Sequence, residues 1–231
     1  MDLKPLRELP DLSERAYQAI KDAILTLKVR PGEILTTGSL ADQLNISRTP
    51  VREALLRLQL DGLVTLLPQK GAEVATICVD DIIEILELRI VLESHAVKVA
   101  TALFTDDELQ DLDLYLQKAI DAFYRGERVV ASDTARELHN VLINKVNNRR
   151  LRSLLDSLEN HYKRIRFFSS LIPGRLEKSF MQHKTILDAL HDRDASKAEQ
   201  ALSDHLTSVK EDILESIDKW DSIMESVGNI A

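Results

Sequence analysis

Between Ser39 and Val64 the chain reads SLADQLNISRTPVREALLRLQLDGLV, and the spacing of its apolar residues admits few folds. Leu40 and Leu44 stand four apart, and Val51, Leu55 and Leu58 recur at four and three, so each half carries one apolar stripe at helical period. Two short helices are expected. Between them, Asn45 tolerates the left-handed conformation of a tight turn and Ile46 is apolar enough to plug the corner. Ser47 or Thr49 can cap the second helix, and Pro50, with no N–H to donate, is harmless in a first turn. Arg48, Thr49 and Arg52 fall off the apolar stripe and crowd the positively polarised end of that helix. A helix-turn-helix pushes this end at bases and phosphates, although a plain helical hairpin with two solvated arginines has the same local pattern.

The following residues favour the first reading. Gly62 can end the helix as a left-handed residue, and 63–67 and 72–76 read as strands around the turn Pro68-Gln69-Lys70-Gly71. A hairpin after a recognition helix is a wing. Lys70 and Gly71 at its tip would bring a cation and an unobstructed backbone to the sugar-phosphate surface. Upstream, 1–11 contain two prolines and no periodicity, as expected of a mobile arm. A helix then begins at Leu12-Ser13, with Ser13 as cap and Tyr17, Ile20, Ile24 and Leu27 on one face, and Pro31-Gly32 stops it.

The formal charge of −8 argues against a nucleic-acid partner until it is counted by segment. Residues 1–75 hold ten Lys/Arg and ten Asp/Glu, so all of the −8 lies further along. Charges more than about 10 Å apart are largely screened in ordinary salt, so acidity there does not repel DNA here. Aromatic residues make up only 4%, which favours a helical protein over a β-sandwich. The single cysteine, Cys78, the lack of a charged-then-apolar leader and the lack of any long apolar run lead to the expectation of a cytoplasmic protein without disulfides or membrane spans.

From Val79 onward every segment has helical period. Six helices are expected: from Asp80 or Asp81, from Thr105 to Gly126, over 129–146, over 149–169, after Pro173-Gly174 to about His191, and from Asp194 to Met224. Asn147-Asn148 reads as a helix-ending turn with left-handed geometry. The economical packing is one antiparallel bundle over 79–226, behind a winged domain over 12–76. The histidines are the informative residues. His183 has Leu176, Phe180, Ile186, Leu187 and Leu190 on its face, His205 has Leu202 and Val209, and His139 has Leu142, Ile143 and Val146. His183 and His205 each lie about ten residues, roughly 15 Å, from the turn that joins their helices, so an antiparallel hairpin brings them level. Buried hydrogen-bonded histidines are the ordinary reading of each one singly. Three together read as a site for Zn, Ni or Mn. His95 has apolar neighbours and reads as core or pocket lining, and His161 and His191 read as surface.

Residues 11–75 resemble the winged helix-turn-helix of the GntR family of bacterial transcriptional regulators. The resemblance rests on SRTPVREAL from Ser47 to Leu55, then LxxDGLV and PQKGA. It implies DNA contacts mainly from Arg48, Thr49 and Arg52, with Gly71 at the wing tip; Ser47 at the helix start and Lys70 in the wing complete the candidate set. Some fatty-acid-responsive members carry an arginine where this chain has Gly38, so that contact is not carried over. Residues 79–226 resemble the helical FCD ligand domain of the FadR branch, VanR-like subgroup, through RxxLE at 89–93, LHxxL at 138–142, HxxILxAL at 183–190 and DHL at 204–206. That resemblance implies a metal held by His139, His183 and His205. Members typically add an Asp four residues before the first histidine, where this chain has Ala135. Asp133, about 120° away around the helix, is no substitute. The position left open would take water or a carboxylate effector; Arg89 is the candidate partner for that carboxylate, and a helix-face salt bridge is the equal alternative for it.

The expected protein is mainly α. It is a homodimeric regulator that reads a palindromic double-stranded operator, and a small organic acid releases it as a repressor. A hydrolase built on the three histidines is the enzymatic alternative, but no nucleophile, base or phosphate-binding motif accompanies them. A DNA binder with a purely structural second domain is the other.

Overall fold

The computed structural model describes residues 12–68, 70–76, 78–220 and 223. The arm expected over 1–11 lies outside them. The chain divides into two compact units, Met1–Ile77 and Cys78–Ala231.

The first unit contains helices α1 (Leu12–Leu25), α2 (Thr37–Leu44) and α3 (Arg48–Leu60) and strands β1 (Ile34–Leu35), β2 (Val64–Leu67) and β3 (Gly71–Val74). Asn45 closes α2 at φ 52°, as a tight corner requires. Gly62, at φ 70°, follows α3, and its N–H and that of Leu63 donate to the Gln59 and Leu58 carbonyls, so two otherwise orphaned carbonyls are satisfied. The buried face of α3, Val51, Ala54, Leu55 and Leu58, packs against α1 through Tyr17, Ile20 and Ile24. A polar clasp supplements this contact: the Tyr17 hydroxyl donates to Asp61, and Lys21 Nζ lies 2.8 Å from that hydroxyl and 3.2 Å from Asp61 Oδ2.

Strand β1 is only two residues long, too short to carry a periodic signal. It adds a third antiparallel strand to the wing, in the order β1-β3-β2, pairing Ile34 with Glu73 and Leu35 with Ala72. Ser13, expected as a cap, lies inside α1 and is buried.

The second unit contains α4 (Val79–Ala100), α5 (Asp106–Tyr124), α6 (Arg128–Lys145), α7 (Arg149–Leu171), α8 (Arg175–His191) and α9 (Ala195–Ser216). Cys78 rather than Asp80 or Asp81 caps α4, and the two aspartates sit in its first turn, where the helix dipole favours them. Thr105 and Glu108 cap α5 reciprocally, and the Asp194 carboxylate caps α9. Asn148 is not left-handed as expected. It is extended (φ −120°) and its side chain caps α7 by accepting from the Leu151 N–H at 3.1 Å. Helix α9 ends at Ser216, followed by a short 3-10 turn over Ile217–Lys219, short of the Met224 expected from periodicity. Met224 itself lies outside the described residues. Leu112, Leu138, Ile186, Leu187, Leu190 and Leu202 lie within the core of this unit. Among the described residues no helix is long and apolar enough to cross a membrane.

Candidate functional sites

In the first unit, burying one face of α3 forces the other outward. Ser47, Arg48, Thr49 and Arg52 are all exposed, and Ser47 stands at the N-cap position with its hydroxyl not used for capping. Arg48, Arg52, Lys70 and Gly71 line one groove together with the start of α2, Thr36 to Gly38, and the apolar flank of β2. The groove wall carries three cations and no carboxylate, and no ion pair among the described residues engages any of the three. A cationic groove beside a helix N-terminus suits a phosphate backbone. The Arg48 guanidinium lies over Gly38: a Cβ there would be 3.6 Å from Nη2. Ser47 and Thr49 are exposed at the helix start but do not line the groove.

The structure explains Gly71 differently from the sequence. Its φ is +114°, and a Cβ would fall well inside contact with the Leu35 carbonyl oxygen and 2.9 Å from Thr36 Cα. The glycine is there so that β1 can approach the wing closely, whatever the hairpin later touches.

In the second unit, His139 on α6, His183 on α8 and His205 on α9 converge, and all three are buried. Nε2 of His183 lies 3.1 Å from Nε2 of His139 and 3.3 Å from Nε2 of His205. One potential donor atom from each lies within 4.8 Å of the others. Two imidazoles bound to one ion at 2.0–2.1 Å would have nitrogens about 2.8 Å apart at a right angle and about 3.4 Å apart at the tetrahedral angle. The two spacings seen fall inside that interval, so the set fits a transition metal. Burial, the neighbouring histidines and Arg175 hold His183 and His205 well below the ordinary histidine pKa, which keeps them neutral, as ligands must be. Behind His139, Glu93 Oε2 lies 2.7 Å from Nδ1. Burial raises the Glu93 pKa, but Arg89 and His139 outweigh it and hold the carboxylate below its usual range.

A cavity of about 50 Å³ opens beside the cluster. Ala135, in the slot where the family resemblance implies a carboxylate, forms part of its wall. The sequence reading missed the rest: Arg136, Arg166 and Arg175 line the cavity, with Ser132, Ser169, Ser170 and Ser179. Carboxylates hold each guanidinium: Arg136 pairs with Glu159, Arg166 Nη2 donates to Asp133 at 2.6 Å, and Arg175 Nη1 lies 3.2 Å from Asp212. A usable signal existed. Tyr162, Arg166, Ser169 and Ser170 recur at helical spacing along α7, but a polar stripe is invisible to a search for apolar period.

Arg89, the sequence candidate for the effector carboxylate, does not line the cavity. It is 2% exposed, with Nη2 at 2.6 Å from Glu93 and its guanidinium 3.6 Å from the Tyr162 ring centroid. The four-residue spacing of Arg89 and Glu93 allows a helix-face ion pair, and that pair is what forms. His95 is exposed rather than core, and His191 pairs with Asp113 at 2.8 Å.

Residues 12–74 match the model of bacterial regulatory proteins of the gntR family, and residues 84–208 match the FCD domain. The Nta operon transcriptional regulator of Aminobacter aminovorans is 32% identical over 190 residues, spanning 81% of this chain and 88% of that one. The HTH-type transcriptional repressor RspR of Escherichia coli K12 is 24% identical over 202 residues, 87% and 89% of the two chains. Among solved structures, E. coli McbR/YncC superposes with a TM-score of 0.74 at 23% identity, covering 90% of this chain and all of that one, a likeness of fold. Both matched families and these relatives are transcriptional regulators rather than enzymes, which removes the hydrolase alternative.

Proposed function

This chain belongs to the GntR family of DNA-binding transcriptional regulators and carries an FCD domain, and on that premise we propose that it is a metal-loaded repressor released by a small carboxylate. The supporting observation is the meeting of three buried histidines with a cavity walled by three arginines and four serines. His139, His183 and His205 would hold Zn, Ni or Mn, and the ion would supply a Lewis-acid anchor for a carboxylate oxygen. Arg136, Arg166 and Arg175 take over the role first given to Arg89: their N–H groups orient and neutralise the anion. The serine hydroxyls offer both donors and acceptors to the rest of the molecule.

The groove of the first unit would face the operator. Arg52 and Arg48 read bases or phosphates from α3, Ser47 and Thr49 hold phosphate at its start, and Lys70 reaches the backbone from the wing. A cytoplasmic homodimer with two such units reads a palindrome, and the effector acts by favouring a dimer arrangement with a different half-site spacing. The test combines three measurements on the full-length protein: metal content after purification, a thermal-shift screen of small organic acids, and operator binding by anisotropy with and without any stabilising acid. Stoichiometric metal and an acid that both stabilises the protein and releases DNA are expected. A chain that stays metal-free in excess Zn, Ni and Mn overturns the metal reading. An acid that stabilises without altering DNA affinity overturns the effector reading.

A further inference from the structure

Glu93 is 1% exposed, and a carboxylate taken out of water must be matched by other partners. Arg89, four residues earlier on α4, matches its charge, yet a buried ion pair rarely stabilises a fold better than apolar side chains of the same volume. The remaining partner of Glu93 is Nδ1 of His139. A carboxylate can only accept, so Nδ1 of His139 carries a hydrogen, and in the neutral form of the ring Nε2 is then the atom with the lone pair. His205 is held in the same way by a different group. Its Nδ1 lies 3.0 Å from Gln182 Oε1, and the same Oε1 accepts from Arg175 Nη2 at 2.9 Å. Arg175 cannot accept, so the amide is unable to turn its NH₂ toward it, and Gln182 presents oxygen to His205 as well.

We propose that Glu93 and Gln182 are positioning residues that lock His139 and His205 into the tautomer with Nδ1–H outward and Nε2 bare toward the centre, leaving His183 as the one ring whose proton can move. His183 Nδ1 is buried and has no partner among the described residues. Its Nε2, between the other two, therefore carries the hydrogen in the metal-free protein and donates to one bare neighbour. When an ion is held, that proton relocates to Nδ1 of the same ring, so no proton is gained or lost. The inference rests on the metal reading above only for its purpose; the tautomers can be read without metal.

Long-range proton–nitrogen correlation spectra of the metal-free full-length protein should show His139 and His205 protonated at Nδ1 and His183 at Nε2. Zinc should convert His183 alone. Glu93→Leu and Gln182→Leu, which leave no acceptor beside the ring, should each weaken zinc binding, measured against a chromophoric chelator, by about 10- to 100-fold. The double variant Arg89→Met/Glu93→Leu removes the buried charge together with its counter-ion, so the same loss in a normally folded protein separates positioning from misfolding. An Nε2–H on His139 or His205 in the metal-free protein overturns the proposal. So does zinc affinity within about twofold of wild type in both single variants while His183→Ala loses the ion. If wild type binds none of Zn, Ni and Mn but shows the stated tautomers, the metal reading fails and the locking of the rings stands.

Discussion

Gly71→Ala separates two roles that the wing could assign to this residue. A non-glycine side chain at φ +114° carries strain of about 1–3 kcal/mol. The new methyl would also meet backbone, Leu35 and Thr36, which cannot rotate away, so β1 must withdraw from β3. The hydrogen bonds at that edge, Val74 N–H to Glu33 O at 2.9 Å and Gly32 N–H to Val74 O at 2.8 Å, are then at risk. At about 0.5–1.5 kcal/mol net each they add about 1–3 kcal/mol, for a total of about 2–6 kcal/mol. In a unit of this size even the lower figure lowers the melting midpoint by about 8–16 °C.

The assay exploits the position of the sole tryptophan, Trp220, which stacks on Phe168 in the second unit. Its fluorescence transition should stay where it is in Gly71→Ala, while amide exchange protection at Ala72 and Val74 collapses and operator binding is lost at progressively lower temperature. A variant that keeps wild-type protection and melting, yet fails to bind DNA at every temperature, would refute the packing argument and return Gly71 to the DNA surface.

Other outcomes can be checked on the same protein. Arg52→Ala should cost about 1–3 kcal/mol at the operator and little on random DNA if the side chain reads a base; equal small losses on both would assign it to phosphate. Lys70→Ala should reduce the salt dependence of binding by about one ion, seen as the slope of log affinity against log salt. Replacing His183 and His205 together by Ala should abolish metal content by atomic absorption while circular dichroism stays helical. At Asp61 burial raises the carboxylate pKa, but hydrogen bonds from Tyr17 and Lys21 outweigh it and hold it below the ordinary value. A carboxylate with a depressed folded pKa stabilises above its unfolded value, about 3.9, and that contribution disappears as pH falls through the folded value. Asp61→Asn should therefore unfold at lower urea than wild type at pH 7, and the gap should close in acid; a gap independent of pH would contradict the clasp.

Where one residue's own chemistry decides the geometry, the sequence was sufficient. Asn45 and Gly62 bear the positive φ angles that a corner and a helix stop demand, and the apolar neighbours of His139, His183 and His205 turn those rings inward. Where a partner decides, it was not. Two residues form a strand at 34–35 only because β3 offers an edge. Arg89 and Arg166 are both arginines on helices; Arg89 meets Glu93 one turn on along its own helix, and it is tertiary packing that buries that pair and brings Asp133 of α6 to Arg166 at the cavity wall. The same limit applies to Gly71, whose close neighbour lies more than thirty residues away in the chain.

The acids that pair with Arg136, Arg166 and Arg175 also bear on how a guest would be received. Freezing a long side chain on association commonly costs about 0.5–1.5 kcal/mol. Here Glu159, Asp133 and Asp212 have already restrained the guanidinium groups during folding. An incoming anion would thus meet a rigid receptor, and its selectivity should follow size and shape more sharply than flexible lysines would allow.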